Sequence, residues 1–165
     1  MKKIKLDGKN SIKTYTVVDD DLFAYLNQWR WHCDKQGYVV RTQYYKDIKG
    51  SKNIYMHRII NETPVAMETD HLNGDKADNR KSNLRTATRL QNAQNKGLTK
   101  SNKSGFKGVH WCQRAKKYIA KIKNDGRSIH LGTFSDKLEA ARVYNEAAVK
   151  YHGDFADLNI VKVVY

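Results

Sequence analysis

Proline occurs once in 165 residues, cysteine twice, and long apolar runs not at all. Each scarcity closes off a class of protein. Cys33 and Cys112 lie far apart and neither belongs to a C-x-x-C pair. That spacing argues against a disulfide framework and against a cysteine-rich zinc site. It makes a reducing, cytosol-like interior the expected setting. No segment approaches the roughly 18 apolar residues of a membrane span, so no membrane partner is expected. The opening MKKIKLDGKNSIK has lysines but no apolar run behind them and does not read as a signal peptide. Acidic residues are scarce as well, 17 against 31 Lys and Arg, for a net charge of +14. Such an excess fits a polyanionic partner, nucleic acid first, because phosphates pair with Lys and Arg and release counterions. A merely soluble basic protein is the plainer alternative. With 39% hydrophobic residues the chain can fold as one domain or two small ones, with thin cores.

Residues 1–60 read as short strands with one helix. KTYTVV (13–18) is strand-like. DDDLFAYLNQW opens on Asp and sets Leu22, Tyr25, Leu26 and Trp29 on one helical face. RWHCDKQGYVVRTQYY reads as a hairpin turning at Gln36-Gly37, and NIYMHRII starts as a strand. Trp29 and Trp31 are expected to fill a core.

The stretch Met67–Gly97, METDHLNGDKADNRKSNLRTATRLQNAQNKG, is different in kind. It sets Asp70-His71 ahead of Asn73, Asn79, Asn83 and Asn92, although Asn suits neither cores nor helix interiors. Its order is strand to His71, polar loop, short strand NLRT, then a helix with a Thr88/Gln91 capping box and Gly97 at its end. An Asp can bind a hard cation and a neighbouring imidazole can take a proton from water. An amide oxygen from Asn92 would leave a sparse shell, open to water and phosphate, as Mg²⁺ is usually held. No register gives an EF-hand loop. Turn chemistry accounts for Asn73, Asp75, Asp78 and Asn79, but poorly for Asn83 and Asn92.

GLTKSNKS (97–104) reads as a linker. After it come three strand-like runs, GFKGVHW, KYIAKIK and SIHLGTF, with a hairpin signal at Asn124-Asp125-Gly126. The helix SDKLEAARVYNEAAVKYHG follows, with Ser135 as its cap, an apolar stripe of Leu138, Ala141, Tyr144, Ala148 and Tyr151, and Gly153 at its end. Ala120, Ile122, Ile129 and Leu131 would meet this helix, which leaves a basic outward sheet face. Residues 97–127 hold nine Lys/Arg against one Asp. A solvated basic face is the bland alternative. Trp111 and Tyr118 are expected in the core.

Two resemblances rest on these motifs. DH, then DNRKSNLR, then T-x-x-QN, preceded by His57-Arg58, resembles the HNH nucleases over residues 54–96, specifically the homing-endonuclease branch. The resemblance implies a ββα-metal fold around one divalent ion, Mg²⁺ or Mn²⁺. It makes His71 the general base, Asp70 and Asn92 the metal ligands, and Asn83 a brace for the loop and the base. His57 would join the catalytic group and Arg58 the DNA contacts, or either would be structural. LGTF, the Ala-rich helix and the closing G-x-x-A-x-LN resemble the Apetala/ethylene-response-factor DNA-binding domain over residues 103–160. That resemblance places Lys107, His110, Arg114, Lys121, Lys123 and His130 on double-stranded DNA.

The expected fold class is α+β: a ββα-metal nuclease module on an N-terminal α+β scaffold, then a three-stranded antiparallel sheet packed on one helix. The expected domains are 1–96, with scaffold 1–53 and HNH motif 54–96, a linker 97–104, and a DNA-binding domain 105–165. The expected function is a metal-dependent DNA endonuclease leaving 5′-phosphate and 3′-hydroxyl ends, less active in acid as His71 protonates. It would act as a monomer or DNA-bound dimer in the cytoplasm, that of a bacterial host if phage-encoded. The alternatives are a non-catalytic DNA-binding regulator and an RNA-directed nuclease, the latter disfavoured because A-form RNA hides its major groove.

Overall fold

The structure is a computed structural model, and it describes residues 1–8, 13–47, 49–99 and 101–161. Lys100, inside the expected linker, and residues 162–165, at the end of the expected second domain, lie outside the described residues. The fold is α+β, and it divides into two compact units, Met1–Arg89 and Leu90–Tyr165.

The first unit is built on a five-stranded sheet. Its strands are β1 (Lys2–Asp7), β2 (Tyr15–Val18), β3 (Trp31–Cys33), β4 (Val39–Tyr45) and β5 (Gly50–Tyr55), in the order β2-β1-β3-β4-β5. Only the β1–β3 pair among these is parallel. The alternation in KKIKLD buries Ile4 and Leu6 while the lysines face water. Helix α1 (Asp20–Leu26) drops Leu26 into the same core, where the indole of Trp31 is fully buried and donates to the Leu26 carbonyl at 2.8 Å. Trp29 packs on this core, but Tyr25 of the expected apolar face is exposed and lies edge-on to Trp29.

A short helix α2 (Met56–Ile60) follows β5, and then β6 (Glu68–His71) pairs antiparallel with β7 (Leu84–Ala87). The loop between them is not loose. Ala77 from the loop and Leu84 from β7 sit in the core with Ile4, Val18 and Met56. The loop also runs beside β2: Val17 N–H donates to the Ala77 carbonyl at 2.9 Å, and Asn79 N–H donates to the Val17 carbonyl at 2.8 Å. The N-terminal sheet is thus the anvil against which the loop is fixed.

The second unit begins in helix α3, which runs Arg89–Gln94 and stops short of Gly97. Gly97 keeps an ordinary φ and does not form the expected left-handed stop. Strands β8 (Val109–Cys112), β9 (Lys117–Asn124) and β10 (Arg127–Phe134) form an antiparallel sheet, and α4 (Lys137–His152) packs on it. Ala140, Ala141, Tyr144, Ala147 and Ala148 are the buried stripe, facing Ala120, Ile122, Ile129 and Leu131. Small residues on α4 let helix and sheet approach closely, and Gly108 shows how closely. A Cβ there would stand 2.0 Å from the Tyr144 ring, on backbone at φ 73°. The cap of α4 is Asp136, whose carboxylate accepts from Leu138 N–H at 3.1 Å, one residue later than the expected Ser135. Among the described residues no helix is long and apolar enough to cross a membrane.

Candidate active site

Strand β6 carries Asp70 and His71 into the protein, each only 4% exposed. Neighbours on a strand point to opposite faces, so the two side chains meet different partners. Asp70 stands opposite Arg85 in the β6–β7 register. Its Oδ2 accepts from Arg85 Nη2 at 2.7 Å and Nε at 2.9 Å. His71 turns towards a group of rings. Its centroid lies 5.2 Å from that of His57 and 6.1 Å from that of Tyr38. His57, delivered by α2, also lies 5.1 Å from Tyr38 and 5.4 Å from Tyr55. Lys76 sits 4.0 Å from the centre of the Tyr38 ring.

Burial makes charge expensive here. It pushes the His71 imidazole below its ordinary range, against the opposing pull of the Asn79 contact and the Asp70 charge. It pushes His57 down to about 3, helped by the nearness of His71, Arg58 and Lys76. Both histidines are therefore neutral at pH 7, which is the state a proton acceptor needs. Burial and the nearby acids likewise raise the Tyr38 phenol.

The loop owes its shape to its own amides and acids. Asn83 accepts from Asn73 N–H at 3.1 Å and donates to the Asp78 carbonyl at 2.8 Å, so one side chain ties both arms of the loop. Its backbone carbonyl accepts from Leu72 N–H at 2.9 Å, directly after His71. Asp78 takes Arg80 at 2.6 and 2.7 Å and Asn73 at 2.9 Å, and Arg80 holds its carboxyl below the usual range. Asn79 is not the solvated turn residue its sequence suggests: it is fully buried. Its amide oxygen lies 3.4 Å from His71 Nε2, and its nitrogen donates to Thr16 Oγ1 at 2.9 Å. Both Asn79 and Arg85 lie in DNRKSNLR, but the sequence gives Asn79 only a turn and Arg85 no role. A buried and a turn asparagine look alike there, and the Asp70–Arg85 pair appears only once the register is known.

The donor chemistry suits a hard divalent cation. Asp70 offers a buried carboxylate that already holds a cationic guanidinium, and among the described residues no group of three His, Cys, Asp or Glu could hold a metal. Nearby, His57 Nδ1 is buried with no hydrogen-bond partner. Asn92 lies on α3, in the second unit, so its pairing with Asp70 rests on the sequence. Arg58 does not face outward for DNA. Its guanidinium donates to the carbonyls of Met67 at 2.9 Å, Pro64 at 2.9 Å and Thr63 at 3.2 Å, and so clasps the turn before β6.

In the second unit His110, Lys121, Lys123 and His130 share the outward sheet face, where His130 stands opposite Lys121, and Arg114 is exposed in the β8–β9 turn. Lys107 departs from the set. It is largely buried, bonded to the Gln94 carbonyl and to Asp157 at 3.2 Å. Burial holds its amine below the ordinary value although Asp157 opposes the shift. Trp111 also departs from expectation. It is 45% exposed, although it shares a sheet face with Val109 and pairs with Tyr118, against which it lies edge-on.

The HNH endonuclease family model matches residues 55–94, the span from the end of β5 to α3. A protein of Acanthamoeba polyphaga mimivirus described as an uncharacterised HNH endonuclease is 30% identical over 146 residues, 88% of this chain and 75% of the relative. Protein 3.8 of Escherichia phage T7 is 29% identical over 93 residues, 56% of this chain and 76% of the relative. An AP2-like ethylene-responsive transcription factor of Arabidopsis thaliana is 37% identical over 62 residues, 38% of this chain but 13% of the relative. No solved structure matches significantly. With its Asp-His strand, braced loop and long match to the viral protein, the chain belongs to the HNH endonuclease family.

Proposed function

We propose that the protein is a metal-dependent DNA endonuclease of the homing type, hydrolysing phosphodiester bonds to 5′-phosphate and 3′-hydroxyl ends. The observation that carries this reading is the adjacency of two buried groups of opposite use on β6, Asp70 and His71. His71, held neutral by burial, takes the proton of the attacking water. Asn83 ties the loop so that the strand end bearing His71 keeps its place. Asp70 and, from the sequence, Asn92 would hold Mg²⁺ or Mn²⁺. Such an ion, when bound, supplies stabilisation of the charge on the phosphate and leaving oxygens. His57 lines the same site as a neutral, buried neighbour.

The second unit we read as the targeting module, an ethylene-response-factor-like sheet. His110, Lys121, Lys123 and His130, with Arg114, would face double-stranded DNA and grip phosphates and base edges. We read residues 1–96 as the nuclease module and 105–165 as the targeting domain, joined by 97–104. Tethering a site of low sequence preference to a DNA-binding sheet raises its local concentration at chosen sequences.

Conversion of supercoiled plasmid in Mg²⁺ or Mn²⁺, with His71→Ala beside the unaltered chain, tests the reading. Cleavage that needs metal and disappears in the variant is the expected result. A chain that binds DNA and never cleaves it is a regulator instead. Equal cleavage by both proteins removes His71 from its role.

A further inference from the structure

The hydrogen bonds behind His71 have a direction, and it can be followed from Thr16 on β2. The Thr16 hydroxyl has one proton to give. The Ala77 carbonyl stands 2.7 Å from Oγ1 and the Met56 sulfur 3.9 Å. The short, well-matched acceptor takes the proton. Thr16 Oγ1 therefore presents only lone pairs to its other neighbour, the Asn79 amide, at 2.9 Å. The same end of that amide faces the Lys76 carbonyl at 3.4 Å. Turned over, Asn79 would set its oxygen against two acceptors, in a place where Thr16 and Asn79 are both fully buried. The amide is thus locked with its nitrogen towards Thr16 and its oxygen towards His71 Nε2, 3.4 Å away. An amide oxygen only accepts, so the hydrogen of the neutral ring belongs on Nε2.

We propose that Thr16 and Asn79 are positioning residues that set the tautomer of His71, keeping its hydrogen on Nε2 and its proton-accepting lone pair on Nδ1. The inference rests on the reading of His71 as the base and adds which nitrogen acts and what selects it. It gives the N-terminal sheet a part in catalysis, through a strand more than fifty residues upstream of the base. The hydroxyl of Thr16 does no chemistry on substrate; it orients an amide that orients an imidazole.

The test uses the full chain labelled with ¹⁵N at histidine, with His71→Ala to assign the signal. At neutral pH, His71 of the unaltered protein is expected to show the Nε2–H pattern of nitrogen shifts. Thr16→Val keeps the shape and removes the hydroxyl. It should give a mixture of tautomers and a fall in kcat of about 10- to 100-fold, the usual cost of losing a partner that orients a functional imidazole. DNA affinity should hold, and Thr16→Ser should restore both readings. An Nδ1–H pattern in the unaltered protein overturns the inference even if Thr16→Val does not fold. So does a folded Thr16→Val variant with unchanged nitrogen shifts and kcat. Full cleavage by His71→Ala strikes the base assignment itself, which separates the two failures.

Discussion

Replacing Arg85 with Met asks what the guanidinium does for Asp70. The two side chains are 18% and 5% exposed and meet through two short bonds to one carboxylate oxygen. Deleting one partner of a buried ion pair strands the other charge, at a cost of roughly 3–5 kcal/mol. In a unit of this size about 1 kcal/mol moves the melting temperature by 4–8 °C, so the metal-free variant should melt on the order of 12 °C lower or more. A divalent cation at about a hundred times its Kd adds about 2.7 kcal/mol to any fold that binds it. The variant should gain more from Mg²⁺ than the unaltered chain does, because no guanidinium contests the carboxylate. Asp70→Asn with Arg85→Met should recover part of the lost stability and show no metal response. Melting followed by circular dichroism, with and without Mg²⁺, reads all of this. A variant that melts within a degree or two of the original, or gains equally from metal, refutes the assignment of Asp70 as a ligand screened by Arg85.

Histidine burial predicts acid sensitivity. His57 holds a pKa of about 3 in the fold against an ordinary value of 6.5, so the unfolded chain binds a proton that the fold refuses. Stability from this source is complete above pH 6.5 and is lost towards pH 3, by about 1.4 kcal/mol per pH unit. His57→Gln should flatten that slope in pH-dependent melts; an unchanged slope rejects the cause. His71, shifted the same way, predicts cleavage that survives mild acid and then falls as the imidazole protonates, read from initial rates across pH. Lys121→Ala should weaken DNA binding and reduce the salt slope by about one, whereas Lys107→Met should lower melting and leave that slope alone. A salt slope altered by Lys107 instead would return it to the DNA face. Gly108→Ala should unfold the second unit at ordinary temperature, since neither the Tyr144 ring nor the left-handed backbone accommodates a methyl group; normal melting would refute the close approach.

The sequence already displays much of this architecture, for reasons that differ by element. Period-2 and period-3.6 patterns expose β9, β10 and α4, and Asp70-His71 with its spaced asparagines exposes the nuclease motif. What escapes is whatever depends on register or on depth. Strand β1 hides in a lysine-rich start, although Ile4 and Leu6 alternate as a half-buried strand should. Lys107 looks like every other lysine of the basic run until Asp157 is brought beside it. Trp111 reads as core because large aromatics usually are, and it does share a face with buried Val109, yet it stays 45% exposed.

The attachment of the 72–83 loop to β2 has a consequence for solubility. In the five-stranded sheet β2 is an edge, and edges with open N–H and C=O groups template pairing with other chains. Here the backbone around Ala77 and Asn79 takes up the Val17 groups on that side, so the segment that braces the candidate site also seals an adhesive border. Substitutions that loosen the loop therefore threaten two properties together: they disturb the proposed site and uncover a strand ready to recruit its neighbours into aggregates.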